Sequence, residues 1–123
     1  MKILVITAHP DDVDFGAGGT VATWVSEGHE VEYCLVTDGQ AGGSDNTITR
    51  EEMARIRRQE QTAAASVLGV TELHWLGFPD GAVVPDLNLR REISAVIRMV
   101  KPDRVLTQSA ERRYDRIYAS HPD

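Results

Sequence analysis

Four consecutive residues, His9, Pro10, Asp11 and Asp12, put an imidazole and two carboxylates within one turn of chain. Those are the groups of hydrolytic metal chemistry. A neutral imidazole and a carboxylate can hold Zn²⁺ while leaving a coordination position open, and the metal lowers the pKa of a water there towards about 7. A second carboxylate can then accept the water's proton. Far along the chain, His121, Pro122 and Asp123 repeat the pattern. Taken singly, His9 reads as a satisfied core histidine and Asp11 or Asp12 as a helix cap. Three such groups together favour the metal site.

The elements that must position them follow from the periodicity. Residues 3–7 are an apolar run without alternation, as in a parallel strand covered on both faces. Pro10 lacks the N–H that a sheet ladder needs, so pairing should end there, with His9 and Asp12 on a turn. Ligands of open α/β sheets bind at the carboxyl ends of strands. Gly16, Gly18 and Gly19 predict a glycine-rich turn, then a helix over 20–27 stopped by Gly28. A second strand over 30–37 ends at Asp38 and Gly39, and a glycine-rich loop spans 39–46. Thr49 and Glu52 form a capping-box pattern opening a helix over 50–68, with Met53, Ile56, Ala63, Ala64, Val67 and Leu68 on its apolar stripe and Gly69 closing it.

A short strand over 72–76, a loop, and Asp86 as cap lead to a helix carrying Leu89, Ile93, Val96, Ile97 and Val100. Pro102 forbids its continuation, and a fourth strand occupies 104–108. The order β-α-β-α-β-α-β predicts an α/β fold, a Rossmann-like three-layer sandwich whose mostly parallel sheet is flanked by helices. Residues 1–123 read as a single domain without repeat or linker.

Composition narrows the function classes. The chain has 123 residues, 41% hydrophobic and 26% charged, with a net charge of −6. That balance suits a globular protein and opposes binding to a phosphate backbone, so no nucleic-acid partner is expected. No apolar run reaches the roughly 20 residues of a membrane span, and a cytoplasmic location is expected. The single cysteine, Cys34, lies in an apolar strand and reads as a reduced core thiol. The late basic residues Arg90, Arg91, Arg98, Lys101, Arg104, Arg112, Arg113 and Arg116 read as solvated charges, with an anionic substrate group the lesser alternative.

Strand, glycines, helix and Asp38 also suggest a dinucleotide-binding unit. The match is poor: Val21 stands where the third glycine of G-x-G-x-x-G belongs, and two carboxylates occupy the turn that pyrophosphate would approach.

AHPDD after the first strand, VTDG after the second, RRQE inside the second helix, LGFPDG after the third strand and a late HPD together resemble the PIG-L/LmbE family of zinc-dependent N-deacetylases. The resemblance runs through all 123 residues. It implies a hydrolase that removes an N-acetyl or other N-acyl group from an N-acetylglucosamine-type compound or related amide, using Zn²⁺ or another divalent transition metal. By position it implies His9 and Asp12 as metal ligands, Asp11 as general base, and His121 as the histidine that steadies the oxyanion or protonates the leaving amine. Arg57 and Asp80 match the positions that hold the substrate's polar groups. The bland readings of those two are a solvated helix arginine and a turn aspartate.

The family's late motif is H-P-D-H, its last histidine a third metal ligand, whereas this sequence ends at Asp123. The third ligand is therefore expected just after Asp123, and the domain is expected to be incomplete at its C-terminal end. His29 and His74 are placed too far away to substitute. On this reading a two-ligand site on a fraying end should bind zinc poorly unless Asp123 substitutes. The alternative from another class is a catalytically incompetent binding or assembly module, and an exposed fourth strand would favour a homo-oligomer.

Overall fold

The computed structural model describes residues 1–115 and 121–123; Arg116 and Ser120 lie outside the described residues. Seven elements alternate: β1 (Lys2–Thr7), α1 (Asp12–Ser26), β2 (Glu30–Thr37), α2 (Arg50–Val67), β3 (Leu73–Phe78), α3 (Leu87–Val100) and β4 (Arg104–Thr107). The strands form one four-stranded parallel sheet in the order β3-β2-β1-β4. This is the α/β three-layer architecture expected from the alternation of elements.

Both faces of the central strands are covered, which is why β1 reads as an unbroken apolar run. Ile3 and Val5 point to one side with Tyr33 and Leu35, packing against Val13 and Val21 of α1 and Ala65 of α2. Leu4 and Ile6 point to the other with Cys34 and Val36, against Val96 and Val100 of α3. Cys34 is a buried free thiol whose pKa is pushed up to about 11 by burial, as a core cysteine requires. Each fully buried apolar side chain of this kind contributes roughly 1.5–3 kcal/mol.

The first helix is longer than its glycines suggest. It begins at Asp12, not at residue 20, and Gly16, Gly18 and Gly19 lie inside it. Asp12 and Asp14 stand in its first turn, where carboxylates suit the positive end of the helix dipole. Val13 and Val21, 1% and 0% exposed, anchor its inner face. Their burial outweighs the cost of an interior glycine, about 1 kcal/mol each. The phosphate-cradling turn of the dinucleotide reading is therefore absent: these glycines are helical.

The three caps of the following helices agree with expectation. Gly69 at φ 83 closes α2 with Gly69 N–H donating to the Ser66 carbonyl and Val70 N–H to that of Ala65, a Schellman closure. Thr49 Oγ1 accepts from Glu52 N–H at 3.1 Å, and Asp86 Oδ1 from Leu89 N–H at 2.9 Å. The inner face of α2 differs in detail. Val67 is 86% exposed and Ala63 is exposed, whereas Gln61 and Ala65 are the buried residues.

The strand order fixes where a site can form. The chain steps from β1 to β2 to β3, then returns through α3 to place β4 on the other side of β1. The connections diverge between β1 and β4, and a crevice at such a switch point is where α/β sheets bind ligands.

Candidate metal and hydrolytic site

The exit of β1 is held from both sides. Thr37 of β2 donates both its N–H and its hydroxyl to the Ala8 carbonyl at 2.9 Å, and Ala8 N–H donates to Gln108 Oε1 at 3.1 Å. Gln108 also donates its Nε2 to Asp12 Oδ2 at 3.1 Å. One amide beyond β4 thus ties the β1 exit to the first residue of α1. Gly39, at φ 65, passes so close to the β1 turn that a Cβ there would lie 3.1 Å from Pro10 Cδ.

His9 sits at the centre, its side chain 17% exposed. Its N–H donates to Asp12 Oδ2 at 2.9 Å, and its ring Nδ1 lies 3.5 Å from the same oxygen. The other ring nitrogen, Nε2, lies 2.8 Å from Asp123 Oδ2 and 3.0 Å from Asp80 Oδ1. His9 is therefore surrounded by three carboxylates. Its pKa is raised to about 9, chiefly by the hydrogen bond to Asp12, with burial opposing and Asp123 and Asp80 adding to the rise. Burial pushes the Asp12 carboxyl up, but hydrogen bonds and the charge of His9 outweigh it and hold the group below its ordinary value.

Asp123 is more firmly seated than a fraying end would be. Its side chain is fully buried, with Gly81 N–H donating to Oδ2 at 2.7 Å and Val83 N–H to Oδ1 at 2.9 Å. Burial raises its carboxyl, and these donors together with His9 outweigh that and lower it. Asp80 accepts from Ala41 N–H at 3.0 Å through its second oxygen, so one carboxylate connects His9 to the loop after β2. His121 packs edge-on against the His9 ring at 4.3 Å between centroids, with a side chain 55% exposed.

Asp11 differs from its neighbours. It occupies the N-cap position of α1 in a left-handed conformation, φ 76 and ψ −19, and its side chain makes no capping bond. Its carboxylate is 43% exposed, 3.8 Å from Arg57 Nη1. Arg57 pairs with Glu60 at 3.0 Å and lines a small recess with His9, Pro10, Asp11, Asp80 and His121. Asp38, the carboxylate at the exit of β2, is engaged elsewhere: Arg58 donates to both its oxygens while lying over the Trp75 ring.

The donor set fits a divalent metal. His9 Nδ1 and Asp12 face one another, and Asp12 Oδ1 accepts no hydrogen bond among the described residues. The carboxylates at Nε2 are the outer partners that commonly orient a ligating histidine and fix its tautomer. His9, Asp80, His121 and Asp123 also bring one potential ligand atom each within 4.8 Å of one another. In that second set both Asp123 oxygens accept backbone N–H groups, whereas Asp12 takes its hydrogen bonds on Oδ2. A cleft of about 490 Å³ opens beside it, lined by Ala8, His9, Asp12, His121 and the segment from Gln108 to Arg113.

All six residues singled out from sequence lie at this sheet edge. His9, Asp12, Asp80 and His121 make direct contact with one another or through His9, and Asp11 and Arg57 form an adjoining pair. His29 and His74 are remote, the first bonded to the N-terminal amine and the second to Glu32. Sequence reasoning missed Gln108 as a site residue. Its only signal is a polar residue just past the end of a strand.

Comparison with known proteins agrees with the fold. A family model described as PIG-L: GlcNAc-PI de-N-acetylase matches residues 4–123. Diacetylchitobiose deacetylase of Thermococcus kodakarensis is 37% identical over 122 residues, covering 99% of this chain and 44% of that protein. A probable N-acetyl-alpha-D-glucosaminyl L-malate deacetylase 2 of Bacillus cereus is 33% identical over 126 residues, covering 98% and 54%. Among solved structures, N,N'-diacetylchitobiose deacetylase from Pyrococcus horikoshii superposes with a TM-score of 0.92 at 35% identity, covering 98% of this chain and 44% of that one. The chain thus spans about half the length of the curated relatives it matches.

Proposed function

This chain belongs to the PIG-L family, and from that premise we propose that it carries the catalytic edge of a metal-dependent N-deacetylase acting on an N-acetylglucosamine-type amide. The observation that carries the reading is the convergence of His9, Asp12 and His121 at the β1/β4 crevice, with Asp11 in the recess that adjoins it. In this reading His9 and Asp12 hold the metal, zinc by the chemistry of an imidazole and a carboxylate. When bound, such an ion supplies Lewis acidity that polarises a carbonyl and lowers the pKa of water.

The protein's own groups then divide the proton work. Asp11, uncapped and partly exposed, accepts a proton from the water as its oxygen attacks the amide carbon. His121, exposed at the mouth of the cleft, donates a hydrogen bond to the oxygen that gains charge. As the C–N bond breaks, Asp11 or His121 returns a proton to the departing nitrogen, leaving a carboxylate and a free amine. Arg57 lines the recess beside Asp11, where it can hold a polar group of the substrate. Asp80 supports the same site through His9 and Ala41.

The test is amine release from N,N'-diacetylchitobiose by the zinc-supplemented protein, with and without a chelator. Amine release that the chelator abolishes supports the reading. A non-catalytic binding module would release none and would purify without metal.

A further inference from the structure

One fully buried polar side chain has no place in the scheme above. Gln61, in the middle of α2, is 0% exposed although it faces the core side of the helix. It reaches across to the start of α1. Its Oε1 accepts from Asp11 N–H at 2.6 Å, and its Nε2 donates to Asp14 Oδ2 at 3.0 Å. A carboxylate can only accept, so Asp14 fixes which way the amide points, and the carbonyl end must face Asp11.

That contact falls on an unusual peptide. Asp11 and Lys101 are the two non-glycine residues at positive φ among the described residues, and Lys101 merely ends a helix. Left-handed backbone in a non-glycine residue persists only where its surroundings hold it. An aspartate at an N-cap ordinarily turns its carboxylate onto the N–H groups of the first helical turn. Here Asp11 does not, and its carboxylate stays directed towards Arg57 and the recess.

We propose that Gln61 is a positioning residue for Asp11: by holding its N–H in the left-handed turn, it keeps the carboxylate out of the capping position and free to take a proton. The proposal rests on the reading of Asp11 as general base. The Gln61 amide touches no substrate atom and acts only through that backbone.

The test uses Gln61→Met, which keeps the length and burial but removes both hydrogen bonds. In the wild-type protein the Asp11 amide should be protected from hydrogen exchange, and in Gln61→Met it should exchange at least about tenfold faster while the amides of β1 are unchanged. With N,N'-diacetylchitobiose as probe, kcat should fall about 10–100-fold with KM within about twofold, the signature of a misplaced catalytic group. In an Asp11→Asn background the same change should cost less than about twofold, because the group it positions is gone. Exchanging the partners, Gln61→Glu with Asp14→Asn, restores an acceptor facing Asp11 and should recover most of kcat. Unchanged exchange at Asp11, or a kcat loss that persists undiminished in the Asp11→Asn background, would overturn the proposal. Full turnover by Asp11→Asn alone would instead remove the base reading, and the exchange measurement would still decide whether Gln61 holds the peptide.

Discussion

Two charged clusters lie at opposite ends of β1, and they are built on opposite principles. At the start of the strand, Glu32 meets His74 at 2.6 Å and Lys2 at 2.8 Å, with Glu30 at 3.4 Å from the same lysine. Each acid there has a cationic or imidazole partner. At the exit of the strand, one imidazole, His9, serves three carboxylates, Asp12, Asp80 and Asp123. The first cluster is complete in itself. The second has one imidazole against three carboxylates and so is at least two positive charges short, and the nearby Asp11 is held in a left-handed turn with its carboxylate 3.8 Å from Arg57 Nη1. Partial burial and close ion pairs are common to both, so they do not mark function. Imbalance of charge, an N-cap acid that makes no capping bond and an adjoining cleft set the second apart.

The largest effect expected on this contrast comes from Asp11. Asp11→Asn should retain bound metal and lose about 10²–10⁴-fold in turnover, the range for a general base. Metal analysis and initial rates on one sample check both halves.

The next concerns His9 in metal-free protein. Its folded pKa of about 9 lies above its ordinary 6.5. A raised value stabilises the fold fully below pH 6.5 and loses that contribution as pH rises through 9. Denaturant melts of the chelated protein should therefore show a stability loss of at most about 3 kcal/mol across that interval, absent from His9→Ala. Zinc should remove most of this dependence by taking the place of a proton on the ring.

Asp123→Asn tests whether the carboxylates at Nε2 support the metal from behind. It should weaken zinc about 10–100-fold in competition with a chelating dye, the usual cost of losing an outer partner. The balanced cluster should behave otherwise. Glu32→Gln should cost about 1–2 kcal/mol of stability through its hydrogen bonds and leave zinc affinity unchanged. Burial raises the Glu32 carboxyl, but His74 and Lys2 outweigh it and hold it below its ordinary 4.5. Its contribution is accordingly present above pH 4.5 and lost as pH falls further.

What was legible in the sequence and what was not divides along chain separation. His9, Asp11 and Asp12 are adjacent, follow an unbroken apolar strand, and need only the rule that α/β sites lie at strand exits. The parallel order and three-layer arrangement follow from alternating elements with short links. The start of α1 did not, because three glycines within eight residues lower local helix propensity, and only the packing of Val13 and Val21 against β1 and β2 reverses it.

The supporting side chains were hidden for a related reason. Gln61 and Gln108 act on residues 50 and 96 positions away, and a glutamine in a helix or past a strand carries no signal of its own. The pairing of Asp123 with the Gly81 and Val83 amides likewise depends on two loops meeting in space.

The central claim, that the β1 exit and not the balanced cluster is the cation seat, is tested most directly by calorimetric titration of zinc into chelator-stripped protein and its variants. The account predicts saturable binding that His9→Ala abolishes and Glu32→Gln leaves intact. Binding undiminished by His9→Ala would contradict it and place the cation elsewhere on the chain.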